Sequence, residues 1–311
     1  MANIIKSVIR PLRLKIPFLV DVIYISDPQQ IKKIETSGAV DRLHAYGTQS
    51  LPFWIKTFFR ATRFCDSERD LWFLSLESDK NPEIAERRAS LKAEIDKGYS
   101  PADVQTIADL LRRNADDQTL AHTITQIVNK RFFGQDVPRS VTRAAQHTLE
   151  RVGETVLPWK YLRARASQKK IMAYCERTLP GSAHLVDIGH NIGETVQTTS
   201  VALRRLSKNL DKPVEEIFTQ RALTTKVPRI ATKRTRFDGL LLFPTVPGKT
   251  VLILQIDKAA AKTNDILFTF GTGQNERACV FKDFFLDFMR DLQTALRDGT
   301  PNTPAHAKSD P

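Results

Sequence analysis

Cys65, Cys175 and Cys279 are the three cysteines of this 311-residue chain. They are widely spaced, with no CxxC pair and no histidine at metal-ligand spacing, so neither a disulfide framework nor a structural zinc site is readable. Cys279 has the richest chemical setting. It lies in FTFGTGQNERACVFKDFF, residues 268–285, where Gly271 and Gly273 permit a tight turn and close approach to a flat ligand. Beyond it, Phe281, Phe284, Phe285, Phe288, Met289, Leu292 and Leu296 repeat at i, i+3, i+4, i+7, i+8, which predicts one buried face of a helix. The positive end of that helix and Arg277 would both favour a thiolate. Spacing alone leaves three roles open: a buried structural thiol, a nucleophile and a metal ligand.

A second group of reactive side chains sits in HLVDIGHNIGETVQTTSVALRRL, residues 184–206. On a helix, Asn191, Thr195 and Thr198 share one face, with Ile188, Ile192 and Val196 beside it. Glu194 and Thr195 place an acid next to an alcohol. The plainer alternative is a helix whose polar side faces water. His44, His122, His147, His184 and His190 have no ligand spacing and read as structural or surface residues. Arg87, Arg88 and Arg229 carry guanidinium groups suited to bidentate carboxylate binding, with a solvated charge as the alternative.

These residues need elements to hold them. FLVDVIYIS, residues 18–26, predicts a buried strand, and Asp27-Pro28 then starts a helix that Gly38 closes. Residues 82–206 have helical texture throughout, with Pro101 in a first turn and Gly134 ending LAHTITQIVNKRFFG. After Pro213 short strand-like segments follow, FDGLLLFP and KTVLILQID, separated by Pro244, Pro247 and Gly248. The expected class is mainly α with a small β portion. Residues 1–298 read as a single domain and residues 299–311, almost devoid of apolar side chains, as a disordered tail. No internal repeat is present.

Lysine and arginine exceed the acids, 47 against 35, for a net charge of +12. The cations are scattered, without aromatic interleaving or a zinc-finger or helix-turn-helix pattern, which argues against nucleic acid as a partner. The N-terminal MANIIKSVIRPLRLKIPFLV has apolar runs too short for a signal or spanning segment. It reads as a lead-in to the first strand, with weak contact to a membrane surface as the alternative. Unpaired cysteines fit a cytoplasmic location, peripheral membrane attachment being the alternative.

FGTGQNERAC followed by KDFFLDFM resembles the haem-binding loop and following helix of the cytochrome P-450 superfamily, with Phe270, Gly271, Gly273, Arg277 and Cys279 at the motif positions. SDPQQIKKIETSG, HLVDIGHNIGETVQTTSVALRRL and VPRIATKRTRFDGLLLFPTVPGKTVLILQID resemble three further segments of that family. The resemblance implies a truncated fold of that type, holding haem b through Cys279 as iron ligand. It implies propionate binding by Arg87, Arg88 and Arg229. Phe281 replaces the glycine two residues after the cysteine, the loop is two residues longer, and the Glu-x-x-Arg pattern is missing upstream of Arg229.

GHN at 189–191 and NERACVFKDF at 275–284 resemble the plant-type hydroperoxide-converting branch: allene oxide synthases, hydroperoxide lyases and epoxyalcohol synthases. That resemblance implies rearrangement or dehydration of a fatty-acid hydroperoxide, with Asn191 at the substrate and no external electron donor. Glu194-Thr195 matches the acid-alcohol pair of monooxygenases instead, which implies dioxygen chemistry and an acidic, ferredoxin-type partner. The departures carry a third expectation, a haem-deficient scaffold without catalysis. In both catalytic cases the substrate is small and hydrophobic.

Overall fold

The computed structural model describes residues 12–16, 20–42, 65–66, 71–72, 82–148, 157–180, 182, 184–220, 222–223, 227–237, 245–248, 250–266 and 279–298. The chain divides into two compact units: 1–52 with 75–79 and 218–278, and 53–74 with 80–217 and 279–311.

The first unit is built on a five-stranded sheet. In spatial order its strands are Leu12–Ile16, Val20–Ile25, Val251–Leu254, Val227–Ala231 and Val40–Arg42. Val20–Ile25 pairs in parallel with Val251–Leu254, Val22 opposite Val251 and Ile25 opposite Leu254, and the other pairs are antiparallel. A strand pair of this parallel kind needs a long crossover, and the helix Pro28–Glu35 opens it. Asp27 caps that helix, its carboxylate accepting from the Gln30 amide at 2.9 Å, with Pro28 in the first turn. The helix ends at Glu35 rather than at Gly38: the Ser37 amide turns to the Ile34 carbonyl, three residues back, at 3.1 Å, and the four-residue ladder stops there. Ile23, Ile25, Ile31, Ile34, Leu252 and Leu254 form its core with a further helix, Ile256–Thr263.

The second unit is helical. Pro82–Ile95, Pro101–Arg112, Asp117–Phe133, Arg139–Ala145, Pro158–Thr178, Leu185–Glu194, Ser200–Ser207 and Lys282–Asp298 pack on one another. Local chemistry sets their ends. Ser100 and Asp103 form a reciprocal capping box, Asp116 caps the next helix through the Thr119 amide, and Gly134 terminates it at φ 66°. Both Phe132 and Phe288 are almost wholly buried, each worth about 1.5–3 kcal/mol relative to exposure. VEEIFTQ, which follows Pro213 where the sequence suggests strands, forms the short helix Val214–Gln220. The segment FDGLLLFP lies outside the described residues after Phe237, as does the tail 299–311.

Candidate functional site

The helix Lys282–Asp298 buries Phe285, Phe288, Met289 and Leu292 along one face, as the spacing predicts. Its first turn is set by the Lys282 amide donating to the Cys279 carbonyl at 3.2 Å and the Phe285 amide to the Phe281 carbonyl at 2.9 Å. Cys279 therefore stands just before the helix start, and it is exposed. Cys175, by contrast, is buried in the helical core, and that burial pushes its thiol up to about 12. A buried thiol and an exposed one are thus separated by position. Phe281 is half-buried and its ring centroid lies 5.7 Å from that of Phe132. Phe284 meets Phe132 edge-on at 4.8 Å and Tyr99 at 5.4 Å. Phe281 belongs to this aromatic cluster. Phe270, Gly271, Gly273 and Arg277 lie outside the described residues.

Residues 185–207 run as one rod: Leu185–Glu194, a π-helical turn Thr195–Thr199, then Ser200–Ser207. In the π turn the Ser200 amide donates to the Thr195 carbonyl, five residues back. It thereby skips Val196, whose carbonyl is taken by the Ser200 hydroxyl at 2.6 Å. Such turns concentrate at functional sites. Asn191 and Thr195 are 5% and 4% exposed, so the polar side of this helix is not solvent-facing there. The Thr195 hydroxyl donates to Asn191 Oδ1 at 3.5 Å, and Asn191 Nδ2 is buried with no hydrogen-bond partner. An amide N–H left in that state costs about 1–3 kcal/mol, a cost that an acceptor atom of a ligand would remove. Glu194 turns elsewhere. Its carboxylate accepts from Thr198 at 2.8 Å and lies 3.8 Å from His190 Nε2, with a side chain 41% exposed.

Residues not singled out in the sequence complete this region. Asp187, 1% exposed, sits with Oδ2 3.3 Å from Arg87 Nε and 3.2 Å from His184 Nδ1. Ser90 Oγ is 3.0 Å from His184 Nε2. Serine, histidine and aspartate thus connect as in a hydrolytic triad. Ser90 lies inside Pro82–Ile95, however, where the neighbouring amides are spent on the helix, so none is free to bind an oxyanion. The chain of bonds serves to fix Asp187 against Arg87. Arg88 is half-buried. In the first unit Arg229 makes a bidentate pair with Glu35, Nε to Oε1 at 2.8 Å and Nη2 to Oε2 at 3.1 Å, both side chains buried. Nothing in the sequence links Arg87 to Asp187 or Arg229 to Glu35, since each partner lies far away along the chain.

These side chains can be tested against a haem. Exposed Cys279 at a helix start has the chemistry of a ligand that would hold it, and the unsatisfied Asn191 amide that of a donor to a polar group. Arg87 and Arg229 each already hold a carboxylate of the chain, so propionate binding by either would mean an exchange of partners.

No family model and no curated protein sequence matches the chain. Solved structures do. Cytochrome P450EX alpha (CYP152N1) with myristic acid aligns at TM-score 0.63 and 10% identity, covering 92% of this chain and 83% of that one. A retinoic acid-bound cyanobacterial CYP120A1 aligns at 0.62 and 13%, covering 93% and 84%. P450BioI in complex with an acyl carrier protein ligated to hexadec-9Z-enoic acid aligns at 0.59 and 14%, covering 88% and 84%. The chain therefore has a cytochrome P450-like fold, mostly helical with a small sheet portion.

Proposed function

We propose that this chain is a haem-thiolate enzyme acting on a small, hydrophobic, fatty-acid-like substrate, and that its reaction is rearrangement or dehydration of a fatty-acid hydroperoxide without an external electron donor. Cys279 would hold the iron. Bound there, haem supplies an electron-rich metal able to cleave an O–O bond. The observation that carries the reading is the buried Asn191 amide with Nδ2 unsatisfied and Oδ1 held by Thr195. Its N–H would orient a hydroperoxide oxygen, while Ile188, Ile192 and Val196, all buried beside it, would exclude water. The fatty-acyl and retinoid ligands named for structures of the same fold support the substrate class.

Dioxygen chemistry with a ferredoxin-type donor is less well supported. It calls for Glu194 and Thr195 to act together on protons, yet Glu194 bonds Thr198 and Thr195 bonds Asn191. Incubating the haem-loaded protein with an unsaturated fatty-acid hydroperoxide, with no reductant present, discriminates between them. Substrate consumption that is lost in Cys279→Ala is the expected result, and inertness despite bound haem would refute the reading.

A haem-deficient scaffold is the third reading, favoured by the internal pairing of Arg87 with Asp187. It predicts that the purified protein, given haemin, develops no Soret band. The hydroperoxide reading predicts a thiolate-type band that Cys279→Ala abolishes.

A further inference from the structure

The helix Pro158–Thr178 carries a surface that the proposed reaction does not use. Ala164, Ile171 and Cys175 lie on its buried side, against the neighbouring helices Arg139–Ala145 and Leu185–Glu194. On the opposite side Trp159 and Leu162 are each 60% exposed, and Leu157, the residue just before the helix, is 36% exposed. Among the described residues these three account for most of the large apolar side chains left in solvent, the others being Leu14 and Val201. Single exposed apolar residues are ordinary, but here they are clustered at one helix end.

The helical period arranges the rest. At about 100° per residue, Trp159, Leu162, Ala166 and Ala173 fall on one strip along the exposed side, which exposed Arg177 closes at its C-terminal end. Arg163 and Lys170 flank that strip on one edge, Arg165 and Lys169 on the other, and all four are exposed. None of these four has an ion-pair or hydrogen-bond partner for its side chain among the described residues. The helix as a whole carries six cations and one carboxylate, Glu176. Among the described residues no helix is long and apolar enough to cross a membrane; an apolar strip between two cationic edges is the pattern of a helix lying in an interface.

We propose that this helix docks the protein on an anionic lipid surface, with Trp159 and Leu162 entering the boundary between headgroups and acyl chains and the four flanking cations reaching the lipid phosphates. The two kinds of side chain decide between partners. An acidic protein would satisfy the cations yet would need a pocket shaped for an indole and a leucine, whereas a lipid boundary accepts both, and tryptophan has a strong preference for that depth. Long basic side chains beside an apolar strip can lay their stems on it and keep their charges at the phosphates. The proposal does not depend on the reaction given above; it places the enzyme at the compartment where hydrophobic substrates of that class dissolve.

Sedimentation of the full chain with vesicles tests it. Vesicles of phosphatidylglycerol mixed with phosphatidylcholine should bind the protein and shift tryptophan emission to the blue, binding should weaken with salt, and phosphatidylcholine alone should bind much less. Arg163→Gln with Lys169→Gln should lower partitioning about 25-fold, from about fivefold per cation. Trp159→Ala with Leu162→Ala should lower it at least about tenfold and remove the emission shift. Lys92→Gln with Lys130→Gln, the same change of charge on other exposed helices, should leave it within about twofold of the unaltered chain if the surface is specific. Far-ultraviolet circular dichroism checks that every variant is folded. Equal binding to neutral and anionic vesicles overturns the proposal, as does loss of equal size in the control pair. Undiminished binding by the Trp159 and Leu162 variant overturns it in favour of a purely ionic surface, suited to an acidic protein.

Discussion

Asp187→Asn removes the carboxylate that Arg87 and His184 share and changes the side-chain volume very little. In the native chain the Arg87 and Asp187 side chains are 5% and 1% exposed, with Nε and Oδ2 3.3 Å apart. A guanidinium left in such a site loses its counter-charge in surroundings that water cannot repair. Breaking one side of a buried pair costs about 3–5 kcal/mol. With a urea dependence of about 3 kcal/mol per molar, the denaturation midpoint of the haem-free chain should fall by about 1–1.7 M. The apolar replacement of both partners, Arg87→Met with Asp187→Leu, should recover most of this, because two well-packed apolar groups need no compensation. Haemin adds a third arm. If a propionate is to take over Arg87, haemin should stabilise Asp187→Asn more than the unaltered chain, whose Arg87 is already engaged. Urea titrations followed by far-ultraviolet circular dichroism, with and without haemin, measure all three. A loss below about 1 kcal/mol in Asp187→Asn, or a double variant no more stable than the single one, would refute the view that this pair is a buried, mutually dependent unit.

Asn191→Ala should slow hydroperoxide turnover about tenfold or more, the worth of one good hydrogen bond to a reacting oxygen. Its urea midpoint should move little, because removal of the unsatisfied Nδ2 offsets loss of the Thr195 bond to Oδ1. Cys175 gives a pH effect whose sign follows from burial. Its folded pKa is raised from 9.0 to about 12, so its contribution to stability is whole below pH 9 and is lost as pH climbs towards 12; urea melts between pH 8 and 11 should show a steeper decline for the native chain than for Cys175→Ala. Ser200→Ala strands the Val196 carbonyl that the hydroxyl caps at 2.6 Å, and should cost about 1–3 kcal/mol in the same assay.

What the sequence discloses depends on whether the cause is local. The helix Lys282–Asp298 is legible because Phe285, Phe288, Met289 and Leu292 repeat at its own period, and the strand Val20–Ile25 because its apolar run is bounded by Asp27-Pro28. Val214–Gln220 is not: seven residues with three β-branched side chains and one phenylalanine give too few turns to display a period. The π turn is equally hidden, for it depends on which carbonyl the Ser200 amide selects, and the serine side chain that makes the selection tolerable looks like any other helical serine. In the candidate site, Cys279, Asn191 and Thr195 are readable as residue types at informative spacings. Asp187 is not, since its meaning comes from Arg87 and His184 meeting it in space. The same holds for Glu35, whose bond to Arg229 joins a helix to a strand from the other end of the chain.

The π turn also sets how far polarity can extend along the rod. From Asn191 to Thr198 is about 10 Å at 1.5 Å per residue, and within that span polar side chains recur on one side. The wide turn then advances the helix out of phase, and beyond Ser200, whose hydroxyl is spent on the Val196 carbonyl, the buried positions are Ala202, Leu203 and Leu206, all apolar. The stripe is therefore finite, and the buried side of the rod past Ser200 offers no further hydroxyl or amide.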